Sequence, residues 1–353
     1  MRVLKDIAVF AIIFLALEMM VRVFLPAYKS LDHGKGITGG IPFTLNSRGL
    51  RDYEFESRKE QGAIRIMALG DSVTFGCQNK LSDTYSKQLE KMLNKDENKV
   101  YQVINCGLIM TSGVGTSIEY YGLLNSINGI NPDLVILGFC LNDVGNVYYA
   151  KSKGVDLKHS QVSNRSYSGM VIPFNKTLSD KLNIMRWVLR KSALVSFFDV
   201  KTTRFLYKYG FKKYDFSRYN EKEEMISFGI SPESRAAWEE TLDYLGKIKR
   251  FLDLKGIKFF IVVFPFEFQV ADNYFNIHLS KLTIDPQEII NTYCTDNNIA
   301  FLDLTAYFAR EQKRLFFPMD YCHPNPLGNK IAARAIYKEL KESGLLECLS
   351  RRE

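Results

Sequence analysis

Apolar and polar positions fall into blocks of different period along this chain. Residues 7–25 are almost wholly apolar, and residues 7–17 carry no charge. A helix of that length, rising about 1.5 Å per residue, reaches roughly 28 Å, about one hydrocarbon core. Glu18 and Arg22 interrupt the second half four positions apart, so they share a helix face where they pair or snorkel toward the interface. Residues 28–62 read as a polar linker in which Gly34, Gly36, Gly39 and Gly40 lie close together. From Ala63 onward, short apolar runs alternate with helical periodicity. The runs are residues 64–69, 100–104 and 134–139, and helices are expected around 85–93 and 117–124. After a long interruption, Ser231-Pro232-Glu233-Ser234 supplies a cap and first turn for a helix reaching about Leu254. Then follow a run at 259–264, a helix near 286–294, a run at 300–304 and a helix over 326–342.

Strands that alternate with helices pair in parallel, and continuous apolar runs suit a sheet covered on both faces. The pattern predicts a three-layer α/β/α sandwich over residues 63–350, with an insertion at 144–230 after the third strand. The leading segment, residues 1–27, admits three readings: a retained signal-anchor helix, a cleaved signal peptide, or a buried or amphipathic helix of a soluble protein. No small-x-small cleavage site follows the apolar run, which favours the anchor. Arg2 and Lys5 precede it, so the N-terminus is expected in the cytoplasm and the body outside.

Composition narrows the classes. With 46% apolar and 24% charged residues among 353, the chain is ordinary globular protein, neither collagen-like nor of low complexity. A mean hydropathy of −0.13 excludes a polytopic membrane protein but permits one spanning helix. The six cysteines include no CxxC pair, which excludes zinc ribbons and zinc fingers. In an extracytoplasmic body disulfides are chemically allowed, though no pairing is legible. The net charge of +8 is local: residues 151–230 hold 16 Lys/Arg against 7 Asp/Glu, and the remainder is close to neutral. A basic balance confined to one internal segment gives no reason to expect nucleic acid.

Ligands of parallel α/β sheets gather beyond the carboxyl ends of the strands, so the residues there carry the candidate chemistry. They are Gly70-Asp71-Ser72-Val73-Thr74-Phe75-Gly76 after the first run, Asn105-Cys106-Gly107 after the second and Asn142-Asp143 after the third. Asp320-Tyr321-Cys322-His323-Pro324-Asn325 precedes the last helix. A serine hydroxyl becomes a good nucleophile only when a base takes its proton. Of four histidines, His33 falls in the linker, His159 in the insertion and His278 in an irregular polar stretch. Only His323 lies at the sheet edge with an acid three residues before it. Asp320 at that spacing fixes the tautomer of His323 and stabilises its imidazolium. Ser72 leads toward a helix, whose N-terminal amides favour developing negative charge. Gly107 presents an amide with no side chain in the way, and the Asn142 carboxamide is a further donor. Asp71 reads as an organiser of its loop, and Asp143 as structural. Residues 70–76 have no following Lys-Ser/Thr, which excludes a phosphate loop. Thr74 stands where a Gly-x-Ser-x-Gly elbow needs its second glycine.

These blocks resemble the SGNH hydrolase superfamily of GDSL-like esterases and lipases. Gly70-Asp71-Ser72-Val73 matches the family's first block, and the resemblance spans about residues 64–345. It implies a flavodoxin-like fold, Ser72 as nucleophile, and Asp320 and His323 as its partners. It also implies an oxyanion hole of Ser72, Gly107 and Asn142, with no metal or organic cofactor. Two positions depart from the pattern. Cys140 stands where the third block usually has glycine, and Leu108-Ile109-Met110 separate Gly107 from the next glycine, Gly113. Asn46-Ser47-Arg48-Gly49-Leu50-Arg51-Asp52 and the Glu18/Arg22 pair are similar to membrane-anchored bacterial members.

The expected function is therefore that of a membrane-anchored, extracytoplasmic serine esterase or O-acyltransferase. Its substrate would be acyl, often O-acetyl, esters of cell-envelope or exported polysaccharide. The alternative is a non-catalytic glycan-binding or assembly protein that keeps the fold. The insertion carries the positive excess, nine aromatic side chains between Phe197 and Tyr219, and a basic amphipathic pattern over 178–198. It reads as a lid over the site, as a contact for anionic lipid headgroups, or as a structural excursion. Cys77, Cys106, Cys140 and Cys322 all fall near the expected site and read as small buried side chains.

Overall fold

A computed structural model describes residues 2–24, 35–38, 41–96, 99–109, 115–152, 154, 171–172, 226–271, 285–317 and 320–350, with a few single positions between 192 and 205. The chain divides into two compact units, one of Met1–Leu45 with Arg165–Lys213, the other of Asn46–Asn164 with Tyr214–Glu353. The middle of the expected insertion thus clusters with the N-terminal segment, and residues 46–62 cluster with the sheet domain. His33, His159, His278 and nearly all of the expected basic helix lie outside the described residues.

In the first unit, Arg2–Phe24 is one helix. Its stretch Lys5–Phe24 has a mean hydropathy of 2.4 and is long and apolar enough to cross a membrane. Phe10, Ile12 and Phe24 are exposed on it. The Glu18 carboxylate accepts from Arg22 Nε at 2.7 Å, from Ser192 Oγ at 2.7 Å and from the Leu194 amide at 2.9 Å. Val21 and Leu194 are buried there against Phe14 and Phe197. Within the segment that reads as a linker, Lys35–Thr38 pairs antiparallel with Ile41–Thr44, and Val171–Ile172 adds in parallel. Strands this short, built on Gly and Pro, show no period for a sequence reading to find.

The second unit carries the sheet. In chain order its elements are β1 (Ile64–Gly70), α1 (Ser72–Phe75), α2 (Tyr85–Asp96), β2 (Tyr101–Gly107), α3 (Thr116–Ile130), β3 (Leu134–Cys140) and α4 (Asn142–Ser152). They continue with α5 (Pro232–Leu254), β4 (Lys258–Phe264), α6 (Glu267–Val270), α7 (Pro286–Asp296), β5 (Ala300–Asp303), α8 (Thr305–Ala309), α9 (Pro326–Glu342) and α10 (Leu345–Ser350). All five strands are parallel, in the order β2-β1-β3-β4-β5. That is the flavodoxin-like order, with its switch point between β1 and β3. The α2 and α9 helices pack together, as do α3, α4 and α5, so helices cover both faces. Every residue of β1 and β3 is buried. Each Leu, Ile or Val so buried contributes about 1.5–3 kcal/mol.

The cap that the sequence announces at Ser231 is made, and the structure adds one at Asn325. Ser231 Oγ accepts from the Ser234 amide at 3.1 Å, and Pro232 opens α5. Asn325 Oδ1 accepts from the Leu327 and Gly328 amides at the head of α9.

Arg51 and Asp52 knit the strand-end loops together. The buried Arg51 guanidinium donates to the carbonyls of Phe75 at 2.9 Å, Gly76 at 2.6 Å and Asn79 at 2.5 Å, which anchors the loop after α1. Burial lowers the Arg51 pKa to about 10. Asp52 pairs with Lys87 at 2.7 Å and accepts from the Asn105 amide at 2.6 Å, anchoring β2. Arg51→Ala leaves three buried carbonyls without that partner and is expected to cost about 3 kcal/mol or more. For a domain of this size that lowers Tm by roughly 6–12 °C in circular dichroism melting. An unchanged Tm would show that the guanidinium is not a structural anchor.

Candidate active site

Three glycines in register make room for the Ser72 turn. Gly70 at the end of β1 is flanked by Gly107 of β2 and Gly138 of β3. A Cβ on Gly107 would lie 1.9 Å from the Phe75 amide nitrogen, inside the backbone of α1. On Gly70 or Gly138 it would strike Thr74 Oγ1, at 2.2 or 2.5 Å. The single turn of α1 therefore rests directly on the strand ends. Asp71 Oδ1 accepts from the Val73 amide at 2.8 Å, and Gly76, at φ +82°, ends the turn in the left-handed region. Thr74 Oγ1 bonds the Tyr85 hydroxyl at 2.9 Å beneath it.

The His323 loop arrives from the other end of the chain and is held from several sides. Gln78 Nε2 donates to Asp320 Oδ2 at 2.6 Å, and Asn79 Nδ2 donates to the Pro324 carbonyl at 3.0 Å. Asn329 of α9 accepts from the Tyr85 amide at 2.9 Å and donates to the same Pro324 carbonyl. The Glu267 amide donates to the Tyr321 carbonyl at 2.7 Å, while its carboxylate grips Arg314 through two nitrogens.

These supports bring Ser72, His323 and Asp320 together. Ser72 Oγ lies 2.8 Å from His323 Nε2, and His323 Nδ1 lies 2.7 Å from Asp320 Oδ2. Asp320 Oδ1 accepts from the amides of Cys322 and His323, so an Asx-type turn holds the acid under the ring. The Ser72 hydroxyl is also 3.3 Å from Asp71 Oδ2, a weaker alternative to the imidazole. The His323 side chain keeps 19% of its surface exposed and Asp320 only 7%, so the imidazole is partly reachable while the carboxylate is shielded.

Burial by itself lowers the His323 pKa, but the Asp320 carboxylate outweighs it and holds the imidazole well above the usual histidine value. Reciprocally, burial raises Asp320, and the charge and hydrogen bonds of His323 bring it below the usual carboxylate range. Asp71 is pushed up by burial. Asp143 and Glu119, buried behind it, stand well above the normal range, first through burial and then through the repulsion of neighbouring acids.

The other expected donors are placed less simply. The Gly107 amide donates to the side chain of Asn105 at 3.0 Å. Asn142, at the start of α4, points its Nδ2 toward Asp71 Oδ2 at 3.5 Å, and its buried Oδ1 has no hydrogen-bond partner. Asp143 Oδ2 accepts from the Cys140 amide at 2.9 Å, a role in the turn. Sequence reasoning missed Gln78, which adopts the left-handed region at φ +65°, and the buried Glu119, which finds no hydrogen-bond partner. No local pattern marks either. Gly138 lies two residues before Cys140, and a side chain there would take the space that Thr74 and Tyr85 need.

No family model and no curated protein matches the sequence. Among solved structures the chain is similar to esterases and lipolytic proteins of the GDSL type. An acetyl xylan esterase, AlAXEase, shares 14% identity over 78% of this chain and 98% of its own, with a TM-score of 0.41. A chain from Desulfitobacterium hafniense assigned to the G-D-S-L lipolytic family shares 11% over 78% and 99%, at 0.40. The Axe2 acetylxylan esterase of Geobacillus stearothermophilus, in the form of a catalytic mutant, shares 14% over 78% and 94%, at 0.41.

The electrostatics give a signed expectation. In chelator-containing buffer, His323 followed by heteronuclear NMR titrates above the ordinary value of about 6.5. Asp320→Asn removes the carboxylate and leaves the burial penalty, so the titration moves down. A value near 6.5 in both proteins would contradict the assignment of Asp320 as the dominant neighbour.

Proposed function

We propose that this chain is a serine-dependent ester hydrolase or O-acyltransferase of the SGNH type. One observation carries the reading: a continuous Ser72–His323–Asp320 hydrogen-bond chain at the carboxyl ends of the strands, with links of 2.8 and 2.7 Å. In this reading Ser72 Oγ attacks an acyl carbonyl as His323 Nε2 accepts its proton. The alkoxide leaves with that proton, and a water or a sugar hydroxyl then attacks the acyl-enzyme with His323 again as base. Asp320 keeps the Nδ1 proton facing itself, which leaves the Nε2 lone pair turned to the serine.

The negative oxygen of the tetrahedral intermediate is assigned to the amides of Ser72 and Gly107 and to the Asn142 carboxamide. Two of these donors now serve internal acceptors, Asn105 Oδ1 and Asp71 Oδ2, and each is released when a stronger, charged acceptor forms beside it. One such donor is typically worth about 3–4 kcal/mol of barrier. The substrate class is assigned as acyl, chiefly O-acetyl, esters of cell-envelope or exported polysaccharide. The Arg2–Phe24 helix, long and apolar enough to cross a membrane, supports an anchored protein, and Arg2 and Lys5 ahead of its apolar run are the ground for assigning the body to the outside of the cytoplasm. The residues supply a nucleophile, a base and an acid without calling on a cofactor.

A fluorophosphonate probe separates this reading from a glycan-binding module. The wild type is expected to be labelled and Ser72→Ala to lose labelling at unchanged Tm. Equal labelling of the two proteins, or none of the wild type, would overturn the assignment.

A further inference from the structure

The Asp320 carboxylate is held from two parts of the chain. Its Oδ1 accepts from the amides of Cys322 at 3.2 Å and His323 at 3.0 Å, both in its own loop. Its Oδ2 takes two donors, His323 Nδ1 at 2.7 Å and Gln78 Nε2 at 2.6 Å. A carboxylate offers about four lone-pair sites, so the Gln78 bond completes the set. Gln78 is buried and stands six positions after Ser72.

The backbone is bent to put it there. Gln78 adopts φ +65°, a left-handed conformation that a residue with a Cβ enters at a cost, and such outliers cluster where a site requires them. Its surroundings pin it. Arg51 donates to the carbonyls of Gly76 and Asn79, the Asn79 amide donates to the Gly76 carbonyl at 3.0 Å, and Asn79 Nδ2 reaches the Pro324 carbonyl at 3.0 Å. One short loop therefore carries the nucleophile near its start and a grip on the acid a turn later.

We propose that Gln78 is a positioning residue of this site: its carboxamide holds Asp320 Oδ2 and sets how strongly that carboxylate draws a proton onto His323. The direction follows from electrostatics. Asp320 holds the imidazole well above the usual histidine value, whereas a base must be neutral to take the serine proton. The Gln78 N–H dipole points its positive end at the oxygen that faces the imidazole. It offsets part of that oxygen's charge and so opposes protonation of the ring. The carboxylate stays ionised and in place, yet attracts an imidazolium less. The other groups facing the pair are Cys77 on the Ser72 loop, Asp71 at the head of its turn, Cys322 with the Cys140 thiol that it meets, and Glu267, itself paired with Arg314. The catalytic meaning of this inference rests on the hydrolase reading; the effect on the imidazole does not.

The test compares the full chain with Gln78→Met, which keeps the length of the side chain and lacks the donor, and with Gln78→Glu, each checked for native circular dichroism. Gln78→Leu, also without a donor, serves if Gln78→Met does not keep the native spectrum. In the donorless variant the His323 titration followed by NMR is expected to move up by roughly 0.5 pH unit or more. The acid limb of kcat/KM for p-nitrophenyl acetate should move with it, a loss of ~3-fold or more at a pH below that limb. The Gln78→Glu carboxyl, kept protonated by burial beside the ionised Asp320, donates in place of the amide and leaves the titration nearer the wild-type value. A His323 titration that stays put or moves down in a natively folded donorless variant overturns the proposal. A raised titration in a chain that hydrolyses nothing would overturn the hydrolase reading instead and leave the hold of Gln78 on the pair standing.

Discussion

At the end of β1 the chain must leave the sheet, turn within one residue and start a helix whose backbone lies against the neighbouring strands. This close approach is what the site depends on. Gly70, Gly107 and Gly138 stand side by side, and any side chain on Gly107 would occupy the space of the Phe75 amide. Ser72 is thereby set at the rim of the sheet at the switch point between β1 and β3, with Asp71 capping the turn behind it. Arg51 fastens the far side of the same loop through three carbonyls. The Ser72 turn is held by backbone packing and a buried cation, and its hydroxyl faces the imidazole.

Charge around this turn is arranged by burial. Asp320 is the one acid of the group drawn below the normal carboxylate range, because His323 and two amides outweigh its desolvation. Asp71, Asp143 and Glu119 have no full counter-charge and are pushed toward the neutral form. Of these acids only Asp320, beneath His323, has its charged form favoured, which is where negative charge stabilises an imidazolium.

Much of the sheet was legible beforehand, because a parallel strand buried on both faces reads as an unbroken apolar run, as residues 64–69 and 134–139 do. Asp320 and His323 were legible because they stand three positions apart and one Asx turn spans that distance. The strand pair 35–38 and 41–44 was not, since two strands of four residues, each interrupted by a Gly or a Pro, carry no period. Gln78 and Glu119 were invisible for a different reason: their meaning depends on partners, or the lack of them, supplied by elements far along the chain. Cys140 and Cys322 belong to the same class. Each reads alone as a small buried residue, and only the folding of β3 against the last loop brings the sulfurs together.

The central claim is that Ser72 Oγ and His323 Nε2 act as one unit. A crystal structure of the chain after reaction with an organophosphonate ester tests it most directly. The account predicts phosphorus bonded to Ser72 Oγ, His323 Nε2 within hydrogen-bonding reach of that oxygen, and the phosphoryl oxygen facing the Ser72 amide and Asn142. An adduct on another residue, or an imidazole turned to solvent with Asp320 left unpaired, would contradict it.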